Sequence, residues 1–299
     1  MNRLRADLLL LLTALIWGTA FIAQKDANHS MGPITFVGAR FLLSALALLP
    51  LMFYELRRGH SPLTRKDWLQ ALVVGLCLCT GSCLQQAGLV TTSATNGGFL
   101  TALYVVIVPF MVWGLNRTRP RLLVIAACAV SVAGAWLLTD DGSARHWSRG
   151  DLLVVLADFA WALAITLIGD FLQRTHRPFF LSFTQYAVTT VLALGVGLIW
   201  EPVSLPGIGS AMPAILYAGL LSGGVAFTLS VVAQKYTPPA EASLIMCLES
   251  VFAALAGAVM LHERLTLLAA TGCGLILLGV VMVEVGPVLI RGLRRDVAA

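Results

Sequence analysis

Charge is what this chain has least of. Of its 299 residues, Asp, Glu, Lys and Arg make up 12%, against 58% hydrophobic residues. Soluble domains run at roughly a quarter charged, so a soluble globular fold is excluded. There is no G-x-x-x-x-G-K-[ST] phosphate loop, and an ATP-driven pump would need another chain to supply one. The five histidines, His29, His60, His146, His176 and His262, are scattered over loops and span ends without an H-E-x-x-H pair, which argues against a membrane-embedded enzyme. All six cysteines (Cys77, Cys79, Cys83, Cys128, Cys247 and Cys273) fall in apolar segments. Cys77 and Cys79 face different sides of a helix and no second pair completes a metal site, so no cofactor or metal is expected. No segment is long and polar enough for a soluble domain, which leaves a receptor without a signalling output.

What remains is a series of apolar runs of about 20 residues, the length that crosses ~30 Å of hydrocarbon as a helix. Stretches such as Leu8 to Ala23 are apolar on every side, unlike the alternating strands of a β-barrel. The spans are predicted at 8–24, 33–54, 69–89, 96–115, 121–138, 151–169, 179–200, 212–234, 241–261 and 266–286. Gly32-Pro33, Arg119-Pro120, Arg177-Pro178 and Pro238-Pro239 punctuate the connections. The expected fold is all-α and integral to the bilayer, with ten transmembrane helices.

The net charge of +5 reads as topology, because the basic residues sit in short clusters between apolar runs and form no nucleic-acid-binding patch. With the N-terminus inside, fifteen fall on cytoplasmic segments: Arg3, Arg5, Arg57, Arg58, Arg65, Lys66, Arg117, Arg119, Arg121, Arg174, Arg177, Lys235, Arg291, Arg294 and Arg295. Lys25, Arg145, Arg149 and Arg264 fall outside, and Arg40 lies within the second span. Both termini are therefore expected in the cytoplasm. The alternative for the first span, which follows Arg3 and Arg5, is a cleaved signal peptide.

A repeat runs through the chain. Asp7-Leu8-Leu9 through Trp17 aligns with Asp151-Leu152-Leu153 through Trp161, Pro33 with Pro178, Gly75 with Gly219 and Ala94 with Ala240, at offsets of 144 to 146. The expected halves are 1–143 and 144–299, each with five spans. An odd number per half makes the second enter the membrane inverted, an arrangement used by transporters to open a midplane cavity alternately to each side.

The stretch Glu249-Ser250-Val251-Phe252-Ala253-Ala254-Leu255-Ala256-Gly257, followed by His262-Glu263-Arg264-Leu265-Thr266, resembles the EamA-type members of the drug/metabolite transporter superfamily. Trp17-Gly18-Thr19 is similar to the W-G-x motif of the same family. The first half departs from the pattern, with Leu103 where Glu249 falls and Arg117 where Glu263 falls. The resemblance implies a basket of ten helices around a central cavity in the bacterial inner membrane. It also implies a small-molecule substrate drawn from amino acids, nucleosides, sugars or drugs, often exported. The YddG-like exporters of aromatic amino acids are among the bacterial members; no residue here singles them out. The expected function is a secondary exporter of amino acids or similar amphipathic metabolites; monomer and homodimer both stay open.

A charge at bilayer depth costs ~2.5 kcal/mol or more and needs a partner, a wet cavity or a function. Asp158, one turn before Trp161, either offers the cavity a carboxylate beside an aromatic plane or bonds between helices. Glu249 either accepts a coupling proton or serves as a structural carboxylate, for instance paired with Arg40. Arg40, aligned with Gln185, either binds a substrate carboxylate or sits in an internal ion pair. Gln85, Gln86, Asn96 and Tyr104 either face the cavity or hold helices together. Trp17, matched by Trp161, lies deep in its span, whereas Trp68, Trp113, Trp147 and Trp200 sit where an aromatic belt is expected. The pairs Ala14/Gly18, Ala253/Gly257 and Ala270/Gly274 predict close helix contacts. Gly97-Gly98 and Gly223-Gly224 are hinge or packing positions, and Pro109 predicts a kink.

Overall fold

A computed structural model of the protein describes residues 1–58, 62–138, 148–260 and 266–296. His60, Arg145, His146, Trp147, the run from His262 to Leu265 and the expected boundary at 143/144 lie outside the described residues. Every regular element among the described residues is helical.

In chain order these are α1 (Arg3–Ala27), α2 (Pro33–Leu56), α3 (Arg65–Gly88), α4 (Ala94–Thr101), α5 (Tyr104–Asn116), α6 (Leu122–Leu138), α7 (Arg149–Thr175), α8 (Pro178–Trp200) and α9 (Leu205–Leu216). A π-helical stretch (Tyr217–Phe227) leads into α10 (Thr228–Gln234), followed by α11 (Pro239–Met246), α12 (Glu249–Met260) and α13 (Leu267–Asp296). Taking α4 with α5, α9 with α10 and α11 with α12, eight helical segments are long and apolar enough to cross a membrane. Leu122–Leu137 and Leu267–Val283 are two shorter apolar helices.

Local chemistry sets the starts. Pro33 and Pro178 open α2 and α8, where a missing N–H costs nothing and φ is already helical. Thr64 with Asp67 and Ser148 with Asp151 form capping boxes at α3 and α7, satisfying orphan donors reciprocally. α7 runs to Thr175, past the predicted end at 169, because its polar last turn is held from α3: Arg174 bonds Asp67 and Gln70.

Two spans are interrupted in mid-course. Between α4 and α5 the chain tightens into i→i+3 bonds, Leu103 N to Leu100 O at 3.1 Å and Val106 N to Leu103 O at 3.1 Å. Between α11 and α12 the same occurs, Leu248 N to Ile245 O and Ser250 N to Cys247 O, both at 3.2 Å. One turn into α5, Pro109 supplies no donor for the Val105 carbonyl. The Cys128 thiol of α6 donates to that oxygen instead, at 3.3 Å.

Helices meet closely where small residues permit. A Cβ on Gly18 in α1 would lie 2.6 Å from the Glu249 carbonyl and 2.6 Å from Phe252 Cβ of α12, so the two backbones touch there. At Gly274 nothing lies within 4 Å, so the Ala270/Gly274 pair is not a close contact. Gly223 packs on Ser44, whose Oγ would stand 2.1 Å from an added Cβ, and this favours packing over a hinge at that position.

Polar links run reciprocally between the two parts of the chain. The Glu201 carboxylate at the end of α8 accepts from Ile34 N at 3.0 Å and from Thr35 N and Oγ1, each at 2.7 Å, at the start of α2. The Glu55 carboxylate at the end of α2 accepts from Phe179 N at 3.2 Å and Phe180 N at 2.7 Å at the start of α8. These two helices are therefore antiparallel neighbours, each capped by the other's last turn. Thr92 bonds Asp151, and Thr237 donates to Asp7 at 2.7 Å.

Candidate functional site

Both interrupted spans deliver a polar side chain to the interior at the break: Tyr104 is the first residue of α5 and Glu249 the first of α12. They line one pocket together with Trp17, Gln24, Arg40, Gln85, Trp161, Gln185, Phe227 and Gln234. About 50 Å³ of the space between them admits the centre of a water molecule, which is room for a few waters at roughly 10–15 Å³ each.

Arg40 is 2% exposed. Its Nη1 donates to Gln24 Oε1 at 2.9 Å, its guanidinium lies 5.0 Å from the Phe41 ring centre and 5.7 Å from that of Phe36, and its Nε has no partner. None of the ion pairs among the described residues includes Arg40, Asp158 or Glu249. The internal ion pair weighed for Arg40 is thus replaced by a single neutral partner and two aromatic faces. Glu249 is equally enclosed, with Oε1 unpartnered, and lies beside the Tyr104 hydroxyl, itself without a partner of normal geometry. Trp161 Nε1, Gln185 Nε2 and Gln234 Oε1 are also buried and unpartnered. An unmet buried polar group costs about 1–3 kcal/mol, and six such atoms converge on this lining.

The wall opposite is aromatic. Phe227 stands between the repeat-related tryptophans, 4.5 Å from Trp17 and stacked 5.7 Å from Trp161 between ring centres. The π-helical stretch that carries Phe227 is held by side chains reaching its carbonyls: Ser44 to Gly219 at 2.7 Å, Trp17 to Ser222 at 3.3 Å, Tyr186 to Gly223 at 3.0 Å and Thr13 to Ala226 at 3.2 Å. π-helical geometry is rare, and the single-turn bulges in which it usually occurs are frequent at functional sites.

Seven of the ten residues singled out by sequence meet here: Trp17, Arg40, Gln85, Tyr104, Trp161, Gln185 and Glu249. Gln85 reaches Thr101 at 2.9 Å. Three stand elsewhere. Gln86 donates to Gln24 O and Asn28 Oδ1 at 2.8 and 2.9 Å, tying α3 to α1. Asn96 donates to Asp151 at 3.0 Å and so joins α4 to the start of α7. Asp158 is wholly buried outside the lining, in electrostatic range of Glu249, and neither of its oxygens has a partner. The interhelical bond weighed for it does not form. Gln24, Thr101, Ser222, Phe227, Ser230 and Gln234 also line the pocket, beside several aliphatic side chains, and were not singled out by sequence. Gln24, Thr101, Ser222, Ser230 and Gln234 each carry a polar group on an apolar span, the signal that could have found them; Phe227 has no distinguishing signal.

The model of the EamA-like transporter family matches residues 4–140 and again 148–285. An uncharacterized transporter of Archaeoglobus fulgidus is 29% identical over 95% of this chain and 87% of its own length. The uncharacterized transporter YwfM of Bacillus subtilis is 25% identical, over 94% of each chain. The uncharacterized inner membrane transporter YedA of Escherichia coli K12 is 24% identical over 92% of this chain and 89% of its own. One protein crystal structure superposes with a TM-score of 0.79 at 18% identity, covering 98% of this chain and 99% of that one, a likeness of fold.

Proposed function

The chain belongs to the EamA-like transporter family, and on that premise we propose that this multi-pass membrane transporter is a secondary exporter of amino acids or closely similar amphipathic metabolites. The observation that carries the substrate class is the lining itself. An arginine with no acidic partner, a glutamate with no basic partner and the Trp17–Phe227–Trp161 wall face one space. A substrate carboxylate fits the Arg40 fork, its ammonium fits Glu249, and an apolar or aromatic side chain fits the wall. The aromatic exporters of the YddG kind are the subtype this wall favours.

In this reading the molecule has ten spans in two inverted halves, 1–143 and 144–299, with α6 and α13 as the fifth and tenth. The reciprocal caps support the inversion, because α2 and α8 are repeat equivalents and run antiparallel. Glu55 and Glu201 themselves differ by 146 positions, within the repeat offset. Thr92–Asp151 and Thr237–Asp7 exchange partners across the halves in the same way. Gly75 packs on Val188, and Gly219, its equivalent, packs on Leu43. Both breaks, at Leu103 and Leu248, fall where transporters of this type interrupt a helix beside the substrate. The excess of basic residues on one set of connections supports both termini on the cytoplasmic side of a bacterial inner membrane.

Glu249, with Asp158 behind it, takes up the coupling proton when substrate leaves. The test is counterflow in proteoliposomes loaded with single unlabelled amino acids, with and without a pH gradient. Uptake of labelled amino acid above that of empty liposomes, strongest for aromatic side chains, is the expected result. No exchange of any amino acid, with exchange of a nucleoside or sugar instead, would overturn the substrate class and leave the transporter reading intact.

A further inference from the structure

Helices α5 and α6 are consecutive, yet they stand apart: α6 packs chiefly on α13, and a groove opens between α5 and α6. Val106, Pro109 and Phe110 form one side, and Ile125, Cys128, Ala129, Val132, Ala133, Trp136 and Leu137 the other. The groove lies beside the break before Tyr104 and the missing donor at Pro109, and the Cys128 thiol reaches across from α6 to the freed Val105 carbonyl. About 730 Å³ in and at the mouth of the groove is wide enough for a water's centre, and every side chain lining it is apolar apart from the Trp136 indole N–H and the Cys128 thiol. Along α6 it runs from Ile125 to Leu137, about 18 Å at ~1.5 Å per residue step, slightly more than the ~15 Å depth of one leaflet.

At one end the same two helical stripes finish in arginine. Val106, Phe110 and Trp113 continue at helical spacing to Arg117, the left-handed C-cap of α5; Ala129 and Ile125 continue back to Arg121, whose carbonyl accepts the first turn of α6. Arg119 lies between them, and all three are exposed. None makes a side-chain hydrogen bond or ion pair among the described residues. Asp170, the carboxylate that reaches this corner, accepts from Asn116 at 2.9 Å. Trp113, 43% exposed one turn from Arg117, marks the level at which head groups lie.

We propose that this groove is a site for one anionic glycerophospholipid, with an acyl chain between α5 and α6 and the phosphate on Arg117, Arg119 and Arg121. An acyl chain is the occupant that matches a bilayer-facing apolar slot of leaflet depth, and three cations without partners select an acidic head group over a zwitterionic one. The site is separate from the central pocket and shares no lining residue with it.

The full chain, purified in detergent, is titrated with phosphatidylglycerol and with phosphatidylcholine of the same chains and followed by native mass spectrometry. One tight phosphatidylglycerol is expected, preferred over phosphatidylcholine. The triple variant Arg117→Gln/Arg119→Gln/Arg121→Gln should lose that preference by on the order of a hundredfold, at about fivefold per basic residue. Ala129→Phe with Ala133→Phe, both exposed positions on the groove floor, should abolish the tight site. Inorganic phosphate at lipid concentration should not compete. Phosphatidylglycerol carrying a photoreactive acyl chain, added to the unaltered protein, should label peptides of 104–116 and 122–138; this readout needs no variant to fold. Equal binding of the two lipids, full competition by phosphate, a dimer lost on filling the groove without loss of lipid, or labelling confined to other helices would each overturn the site.

Discussion

Replacing Arg40 by Met distinguishes a substrate ligand from a structural charge. In the fold, Arg40 forms one hydrogen bond, to Gln24, and touches two aromatic faces. Losing them costs about 1 kcal/mol for the bond and about 0.5–2 kcal/mol for the cation–π contacts. Against that stands the desolvation of a guanidinium without a counter-charge, several kcal/mol for a buried ion. The Met variant should therefore melt at or above the wild-type temperature. For a ligand the sign reverses: each hydrogen bond from a charged donor contributes about 1.5–3 kcal/mol, so a substrate carboxylate should bind roughly ten- to 150-fold more weakly. Arg40→Lys keeps the charge but not the two-pronged geometry and should recover only part of the affinity. Differential scanning fluorimetry measures the first quantity. Quenching of the Trp17 and Trp161 emission by an amino acid, set against the amine lacking its carboxylate, measures the second; only the amino acid should respond to the substitution. A Met variant destabilised by about 3–5 kcal/mol, the cost of breaking a buried ion pair, with ligand affinity unchanged, would make Arg40 a structural charge and not a substrate ligand.

Asp158→Asn should leave amino-acid counterflow running while removing acceleration by a pH gradient, and Glu249→Gln should remove that acceleration and also weaken counterflow through the lost ammonium contact; gradient-driven flux unchanged in both variants would exclude them as the proton carriers. Gly18→Val should lower the melting temperature, since its Cβ would fall 2.6 Å from the Glu249 carbonyl and overpacking costs about 1–3 kcal/mol; a wild-type melting curve would contradict the α1–α12 contact. Glu201→Ala and Glu55→Ala should each destabilise by about 1–3 kcal/mol through uncapped donors. Their caps lie at opposite ends of the α2–α8 pair, so the double variant should show the sum; chemical unfolding in mixed micelles checks both points.

The membrane-spanning character was legible in the sequence because the bilayer imposes its constraint locally: each span must satisfy its own backbone and present about 20 apolar residues, whatever its neighbours do. Starts at Pro33, Pro178, Thr64 and Ser148 were readable for the same reason, since a cap acts within four residues. Seven of the candidate residues line one pocket, and they could be singled out because a polar or large aromatic group deep in an apolar run is anomalous wherever it lies. Which of two uses such a group serves depends on what stands opposite it, and that is decided by packing between helices distant in sequence. Gln86 and Asn96 bind other helices, Asp158 lies behind the pocket without a partner, and Arg40 faces Gln24 and two rings instead of a carboxylate. The π-helical stretch, the reciprocal glutamate caps and the groove beside Pro109 likewise follow from helix–helix contacts, for which a single chain read in order carries no local signal.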